Sequence, residues 1–278
     1  MGQTKNNVNG LSWIVIYVIL TLTLSWSLLA WIFAEPERLD HFDWIMFVPA
    51  AVAMILNLVR RQSLKEMLRP VLAPVSITAL AFSVLYPLGC IGLIALATWG
   101  TGLSTWHPAG AVNYPLVPPF ASLVMSLPLI FGEEYGWRGW LLENLSQDRG
   151  RLIGTLGTGL VWAAWHGPVI YGLAKVSGLP DPGLLTGIQM AAIFVFSFAF
   201  AWLYFNSGSI IPPMLMHYLW NYYNPMVLGD IYNHQHGWFD GNLLLINGEA
   251  VAGILFGLPL MIWFVVKERS RSHQCRPG

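Results

Sequence analysis

Three polar clusters interrupt stretches of the sequence that are otherwise apolar enough to cross a membrane. The first holds Glu133, Glu134 and Arg138, the second Trp162 and His166, and the third His217 and Asn221. An ionised side chain at bilayer depth costs at least about 2.5–3.5 kcal/mol on insertion scales, so several kept together indicate a function. We therefore take these residues as the candidate site.

Hydrolysis of a peptide bond is the chemistry that these residue types suit best. The reaction needs an activated water molecule, a donor for the oxyanion and the exclusion of bulk water. Glu133 is the candidate base, and His166 is expected to share the water and pass its proton to the leaving amine. His217 and Asn221 lie four residues apart on one helix face and are the expected oxyanion donors.

Glu134 and Arg138 are expected to support the site without reacting. They are also four residues apart, and the ion pair predicted by this spacing would allow both charges to persist at depth. Glu133 is turned about 100° from Glu134 on a helix, so it is expected to point elsewhere, toward His166. Trp162 lies one turn before His166, where packing and a contact within the site are both open.

The composition indicates the setting in which these residues lie. Hydrophobic residues make up 55% of the 278 and charged residues 10%, against roughly 25% charged in a soluble domain. A net charge of zero offers no basic stripe for nucleic acid, which we exclude as a partner. We predict one membrane domain over 1–278, an all-α polytopic bundle of about eight transmembrane helices. The predicted spans are 11–34, 43–59, 75–98, 117–145, 151–173, 185–205, 209–228 and 247–266.

The lysines and arginines predict the orientation of this bundle. With both termini cytoplasmic, 12 of them fall in inside segments and 2, Arg38 and Lys175, fall outside, as the positive-inside rule requires. Glu133 lies about 16 residues before the polar turn near 149 and His166 about 16 after it, so both are predicted at one depth. We expect an active site that opens toward the cytoplasm, in a protein of the bacterial cytoplasmic membrane.

In their order and spacing the three clusters resemble the CPBP family. That family contains the type II CAAX prenyl endopeptidases and the bacterial abortive-infection or bacteriocin-immunity-like proteins. The resemblance covers about 118–223, the core of the family domain, and includes EEYGWRGWLLENL from Glu133 and the prolines Pro212 and Pro213 before His217. Trp162 departs from the family, which usually has Phe there, and the bulkier ring is expected to affect the choice of substrate.

The resemblance implies an intramembrane glutamate-type protease acting on a membrane-associated peptide or protein, and no cofactor. In this family the Glu and His of the first two motifs activate water, and the His and Asn of the third form the oxyanion hole. A zinc enzyme is the alternative, with Glu133, His166 and His217 as ligands, although no HExxH signature is present. A transporter and a non-catalytic immunity protein are the two remaining alternatives.

Overall fold

A computed structural model describes residues 10–107 and 115–274 and shows a bundle of helices. Two short strands, β1 (Ser104–Trp106) and β2 (Phe239–Gly241), pair antiparallel at one end of the bundle. A 3₁₀ segment, Pro36–Phe47, leads into the second helix. The helices are α1 (Gly10–Ile32), α2 (Val48–Val59), α3 (Leu64–Leu72), α4 (Ile77–Gly100), α5 (Phe120–Glu134), α6 (Glu143–Arg149), α7 (Arg151–Val176), α8 (Pro182–Ser207), α9 (Ile211–Leu228), α10 (Leu243–Ile246) and α11 (Val251–Gln274).

Five of the helical segments are long and apolar enough to cross a membrane, which supports the predicted all-α membrane bundle. They are Gly10–Ile32, Pro36–Val59, Ile77–Gly100, Pro182–Ser207 and Leu243–Arg271. The other three predicted spans correspond to α5 with its continuation, to α7 and to α9, which carry the polar clusters. Their polar residues and interruptions lower the hydropathy on which such a count depends, and the number eight stays a prediction.

The fourth predicted span, 117–145, is not one regular α-helix. After α5 the chain forms a π-helical segment, Tyr135–Leu142, before α6 completes the element. A π-helix has one extra residue per hydrogen-bonded turn and is frequently found at functional sites. This segment contains Arg138, so the irregular turn lies in the middle of the candidate site.

Two glycines allow α5 and its continuation to lie directly against the second span. A Cβ atom at Gly132 would come within 2.3 Å of the Met46 carbonyl oxygen, and one at Gly136 within 2.4 Å of Pro49. Neither distance is possible for a real side chain, so backbone contact at both positions requires glycine. The close approach holds the two acidic residues between these glycines at a fixed position in the core.

The two ends of the bundle differ in charge. One end, the basic end, is formed by segments 60–76, 146–151 and 206–210. The first and the third are joined by a hydrogen bond from the Ile210 amide to the Pro70 carbonyl at 2.8 Å. The opposite end, the loop end, is formed by 36–47, 101–107, 175–181 and 229–249. At the loop end the described residues include only two lysines or arginines, Arg38 and Lys175.

Candidate active site

Glu134 joins two helices at the centre of the bundle. Its Oε1 atom accepts hydrogen bonds from Nη1 of Arg138 and from Nδ1 of His217, each at 2.9 Å. All three residues are buried, and Glu134 itself is 0% exposed. The ion pair that the spacing predicts is present. The bond to His217, which links α5 to α9, was not predicted, because no local pattern connects residues 83 positions apart.

The Arg138 guanidinium lies between two aromatic rings. Its Cζ atom is 3.9 Å from the centroid of Trp162 and 4.1 Å from that of Phe200 in α8. A desolvated cation between two ring faces gains cation–π energy in addition to its ion pair. Phe200 belongs to no polar cluster, and its part in the site has no signal in the sequence.

Glu133 is held by the tryptophan that departs from the family pattern. The indole Nε1 of Trp162 donates to Oε2 of Glu133 at 3.0 Å, and the carboxylate is buried at 3% exposure. From the sequence we expected Glu133 to point toward His166, and the two side chains do interact electrostatically. The hydrogen bond described for the Glu133 carboxylate, however, comes from Trp162. A phenylalanine at 162 has no N–H group to make this bond.

The two imidazoles are both fixed through Nδ1. In His166 this atom lies 2.8 Å from the main-chain carbonyl oxygen of Trp162, and in His217 it faces the Glu134 carboxylate. A carbonyl oxygen can only accept, so Nδ1 of His166 carries the proton and Nε2 of the neutral ring has a free lone pair. Each ring therefore keeps its Nε2 atom for a reacting group.

A cavity of about 190 Å³ brings four of the predicted residues together, one of which is Trp162. Among the side chains that line it are His166, His217 and the exposed Asn221. Phe200 also lines it, and Glu133 is joined to the lining through its hydrogen bond with Trp162. The other lining residues are Phe42, Val169, Ile170, Leu173, Gln189, Ala192, Ile193, Phe196, Trp220, Tyr232, Gly248 and Glu249.

The cavity extends from the imidazoles toward the loop end. Leu173 is near the last turn of α7, and Tyr232 and Glu249 belong to the 229–249 segment. The sequence predicts the pocket on the same side as the 146–151 turn, because the depth of Glu133 and His166 is measured from that turn alone. His166 is the sixteenth residue of α7, which has 26, so it is already past the middle of the helix. The cavity that His166 and His217 line therefore extends away from the basic end.

Three polar residues of the cavity were missed from the sequence. Gln189 comes from α8, and Tyr232 and Glu249 come from the loop segment. The Tyr232 hydroxyl donates to Oε1 of Gln189. Burial, and then the nearby Glu249 carboxyl, raise the pKa of Tyr232, so its phenol stays protonated and remains a donor. No motif spacing relates these residues, because they come from separate elements.

The zinc alternative can be compared with this geometry. Glu133, His166 and His217 would have to converge on one point to serve as ligands. Among residues 10–107 and 115–274, no group of three or more His, Cys, Asp or Glu side chains is arranged to hold a metal ion. One atom of each proposed ligand is instead bonded to Trp162 or Glu134. These bonds leave Nε2 of both imidazoles for another partner, so they do not decide between the metal-free reading and the zinc alternative.

The fold and the site define a membrane helix bundle with a buried acid, two imidazoles and a shared cavity. A family model described as type II CAAX prenyl endopeptidase Rce1-like matches residues 115–223, which contain all three clusters. The match confirms the resemblance over these residues, which make up less than half of the chain. No curated protein matches the chain. The family match supports a membrane peptidase.

Proposed function

We propose that this protein is an intramembrane endopeptidase that hydrolyses a peptide bond of a membrane-associated peptide or protein. The observation that carries the proposal is the anchoring of both imidazoles through Nδ1 on the wall of one cavity. Two Nε2 atoms are left for a substrate in that cavity, and a buried carboxylate lies behind its inner wall. This is the set of groups that amide hydrolysis needs.

In the proposed reaction Glu133 takes a proton from a water molecule while its oxygen adds to the substrate carbonyl carbon. The carbonyl electron pair moves to oxygen, and the resulting oxyanion receives hydrogen bonds from His217 and Asn221. The proton held by Glu133 is passed through Nε2 of His166 to the amide nitrogen. The C–N bond then breaks, and a carboxylic acid and an amine are released.

His217 can donate to an oxyanion only in its protonated form. Its Nδ1–H group already donates to Glu134, so a second donor requires a proton on Nε2 as well. The Glu134 carboxylate stabilises this charged ring by an ion pair. We therefore propose that Glu134 also maintains the charge of the oxyanion donor, a role beyond the structural one expected from its spacing to Arg138.

We propose that water is activated without a metal ion. The acid, the imidazoles and the oxyanion donors supply every proton transfer and every charge that the reaction requires. The hydrogen bonds to Trp162 and Glu134 orient the side chains of Glu133 and His217 in the absence of a metal ion, as this mechanism requires. The zinc mechanism with Glu133, His166 and His217 is the alternative, and metal analysis distinguishes the two.

For the membrane orientation we propose that the basic end faces the cytoplasm, as the positive-inside rule predicts. The cavity then extends toward the outer face of a cytoplasmic membrane, and the expectation of a cytoplasm-facing site is replaced. The description of the matching family names CAAX prenyl endopeptidases. We propose a membrane-associated peptide as the substrate, in a role of peptide processing or bacteriocin immunity.

The experiment is to replace Glu133 by glutamine, which keeps the shape of the side chain and removes the base. The parent and the variant are reconstituted in liposomes with a library of internally quenched peptides. We expect cleavage to fall by about 10²–10⁴ in Glu133→Gln, since general base catalysis contributes this much. His166→Ala should lose activity as well, and the matched control Glu37→Gln, at an exposed position, should not. Equal cleavage by Glu133→Gln and the parent would refute the proposed function.

A further inference from the structure

Gln189 has a buried amide nitrogen that lacks a hydrogen-bond partner within the described part of the chain. The residue is 2% exposed, and it lines the cavity. Native proteins leave few buried donors unpaired, and each requires an explanation. A ligand in the cavity is the explanation that the position of this amide offers.

The orientation of the amide is fixed by Tyr232. The phenol donates to Oε1 of Gln189, so the carbonyl side of the amide is occupied and the NH₂ side is the free one. Tyr232 lines the same cavity and comes from the loop segment after α9. The pair therefore leaves the NH₂ group of Gln189 as an unpaired donor in the wall of the cavity.

The surrounding wall is apolar and is wide enough for a side chain. Val169, Ile170 and Leu173 contribute one side of it from α7, and Ala192 and Ile193 contribute the other from α8. A wall of this kind favours a ligand that buries aliphatic surface. A donor within such a wall selects a ligand that also has an acceptor, because a ligand without one leaves the buried amide unpaired.

We propose that Gln189 is a substrate-binding residue whose Nε2 atom donates to a main-chain carbonyl of the peptide, next to a pocket for an apolar side chain. The inference rests on the proposed function and names the part of the substrate that the cavity takes. An extended peptide supplies both features at once, since its carbonyl groups alternate with its side chains. Cleavage is then selective for an apolar residue near the scissile bond.

The test uses Gln189→Met, which keeps the length of the side chain and removes both N–H groups. The best peptide from the quenched library is remade as a series in which one amide at a time becomes an ester, whose carbonyl is a weaker acceptor. In the parent we expect one position of the series to lose about 3- to 10-fold in kcat/KM, mainly through KM. In Gln189→Met the amide peptide should already show this loss, and the ester at that position should add none.

Two further variants separate binding from structure. Tyr232→Phe removes the hydroxyl that orients the amide and should weaken the ester effect without abolishing cleavage. Gln147→Met removes an exposed amide at the basic end, bonded to Glu143, and should behave as the parent. A merely structural role for Gln189 lowers the activity on amide and ester peptides by the same factor. Equal losses along the whole series would overturn the inference.

A binding measurement keeps this outcome distinct from failure of the proposed function. A fluorescent form of the same peptide is titrated into two proteins, the Glu133→Gln variant and the double variant that also has Gln189→Met. If the parent cleaves no peptide of the library, fluorescent forms of the library peptides are used instead. Tighter binding when Gln189 is present supports the inference, even if no peptide is cleaved and the proposed function fails. Equal affinity in the two proteins, or no binding in either, overturns it, whether or not cleavage occurs.

Discussion

Replacing Glu134 by glutamine removes one charge from the buried network and changes little else. The oxygen of the new amide can still accept from Arg138 and His217, because both bonds now go to the same Oε1 atom. The amide nitrogen takes the place of Oε2, which has no partner in the described structure. The variant therefore tests the charge of Glu134 separately from the shape of its side chain.

The expected cost follows from the stranded arginine. Arg138 is 1% exposed, and without its carboxylate the buried cation lacks its direct ion-pair partner. Breaking such a pair destabilises a protein by about 3–5 kcal/mol. We take the low end, about 3 kcal/mol, since the hydrogen bonds remain and Glu133 still interacts with the cation. At about 2–4 °C per kcal/mol, the melting temperature should fall by about 6–12 °C.

Thermal unfolding of the purified protein in detergent measures this shift, with hydrolysis of a quenched peptide recorded on the same samples. The matched control is Glu35→Gln, whose ion pair with Arg38 is short at 2.6 Å but exposed, and which should cost less than about 1 kcal/mol. Adding Arg138→Met to Glu134→Gln removes the stranded cation and should restore much of the stability. Activity should not return, because His217 still lacks the carboxylate that stabilises its protonated ring.

Two results would contradict this reasoning. A melting temperature of Glu134→Gln within about 2 °C of the parent would show that the charge of Glu134 does not hold Arg138 in the core. Recovery of full activity in the double variant would show that His217 needs no counter-charge, and the proposed oxyanion donor would then be wrong.

Three other predictions concern the base, the metal and the orientation. Trp162→Phe should lower hydrolysis by about 10- to 100-fold with the fold retained, since it removes a hydrogen bond to a charged group, whereas Trp99→Phe on the exposed surface should have no effect. Prolonged chelation should leave activity unchanged, and the purified protein should contain well under one zinc per chain. Activity that is lost on chelation and regained with zinc would establish the metal mechanism. For the orientation, single cysteines are placed in a chain that has Cys275→Ser, and intact cells are treated with a membrane-impermeant maleimide. The reagent should label Asn233→Cys at the loop end and not Gln147→Cys at the basic end. The reverse pattern would overturn the proposed orientation.

The parts of the site that the sequence predicts are those carried by local spacing. The ion pair of Glu134 with Arg138 follows from four residues of separation on a helix. The placement of His166, His217 and Asn221 on one cavity follows from three polar clusters that had to be buried together in an apolar bundle. Local spacing and burial are both visible in one sequence.

The features that could not be predicted depend on contacts between distant elements. The bond from His217 to Glu134 requires the relative rotation of α5 and α9, and the Gln189 amide is fixed by a tyrosine 43 residues away. The π-helical segment replaces a regular turn without any proline to mark it. The direction of the cavity depends on where the 229–249 segment folds, and that segment has no regular hydrophobic period.

Trp162 connects the acid, the cation and both imidazoles. Its indole N–H donates to Glu133, its ring lies against Arg138, and its main-chain carbonyl accepts from His166. The ring centroid is also 6.3 Å from that of His217. A large rigid side chain can hold these groups at once because its position is fixed by only two torsion angles. Movement of this one ring changes its contacts with Glu133, Arg138 and His217 together, so substitutions around it should combine non-additively in their effects on hydrolysis.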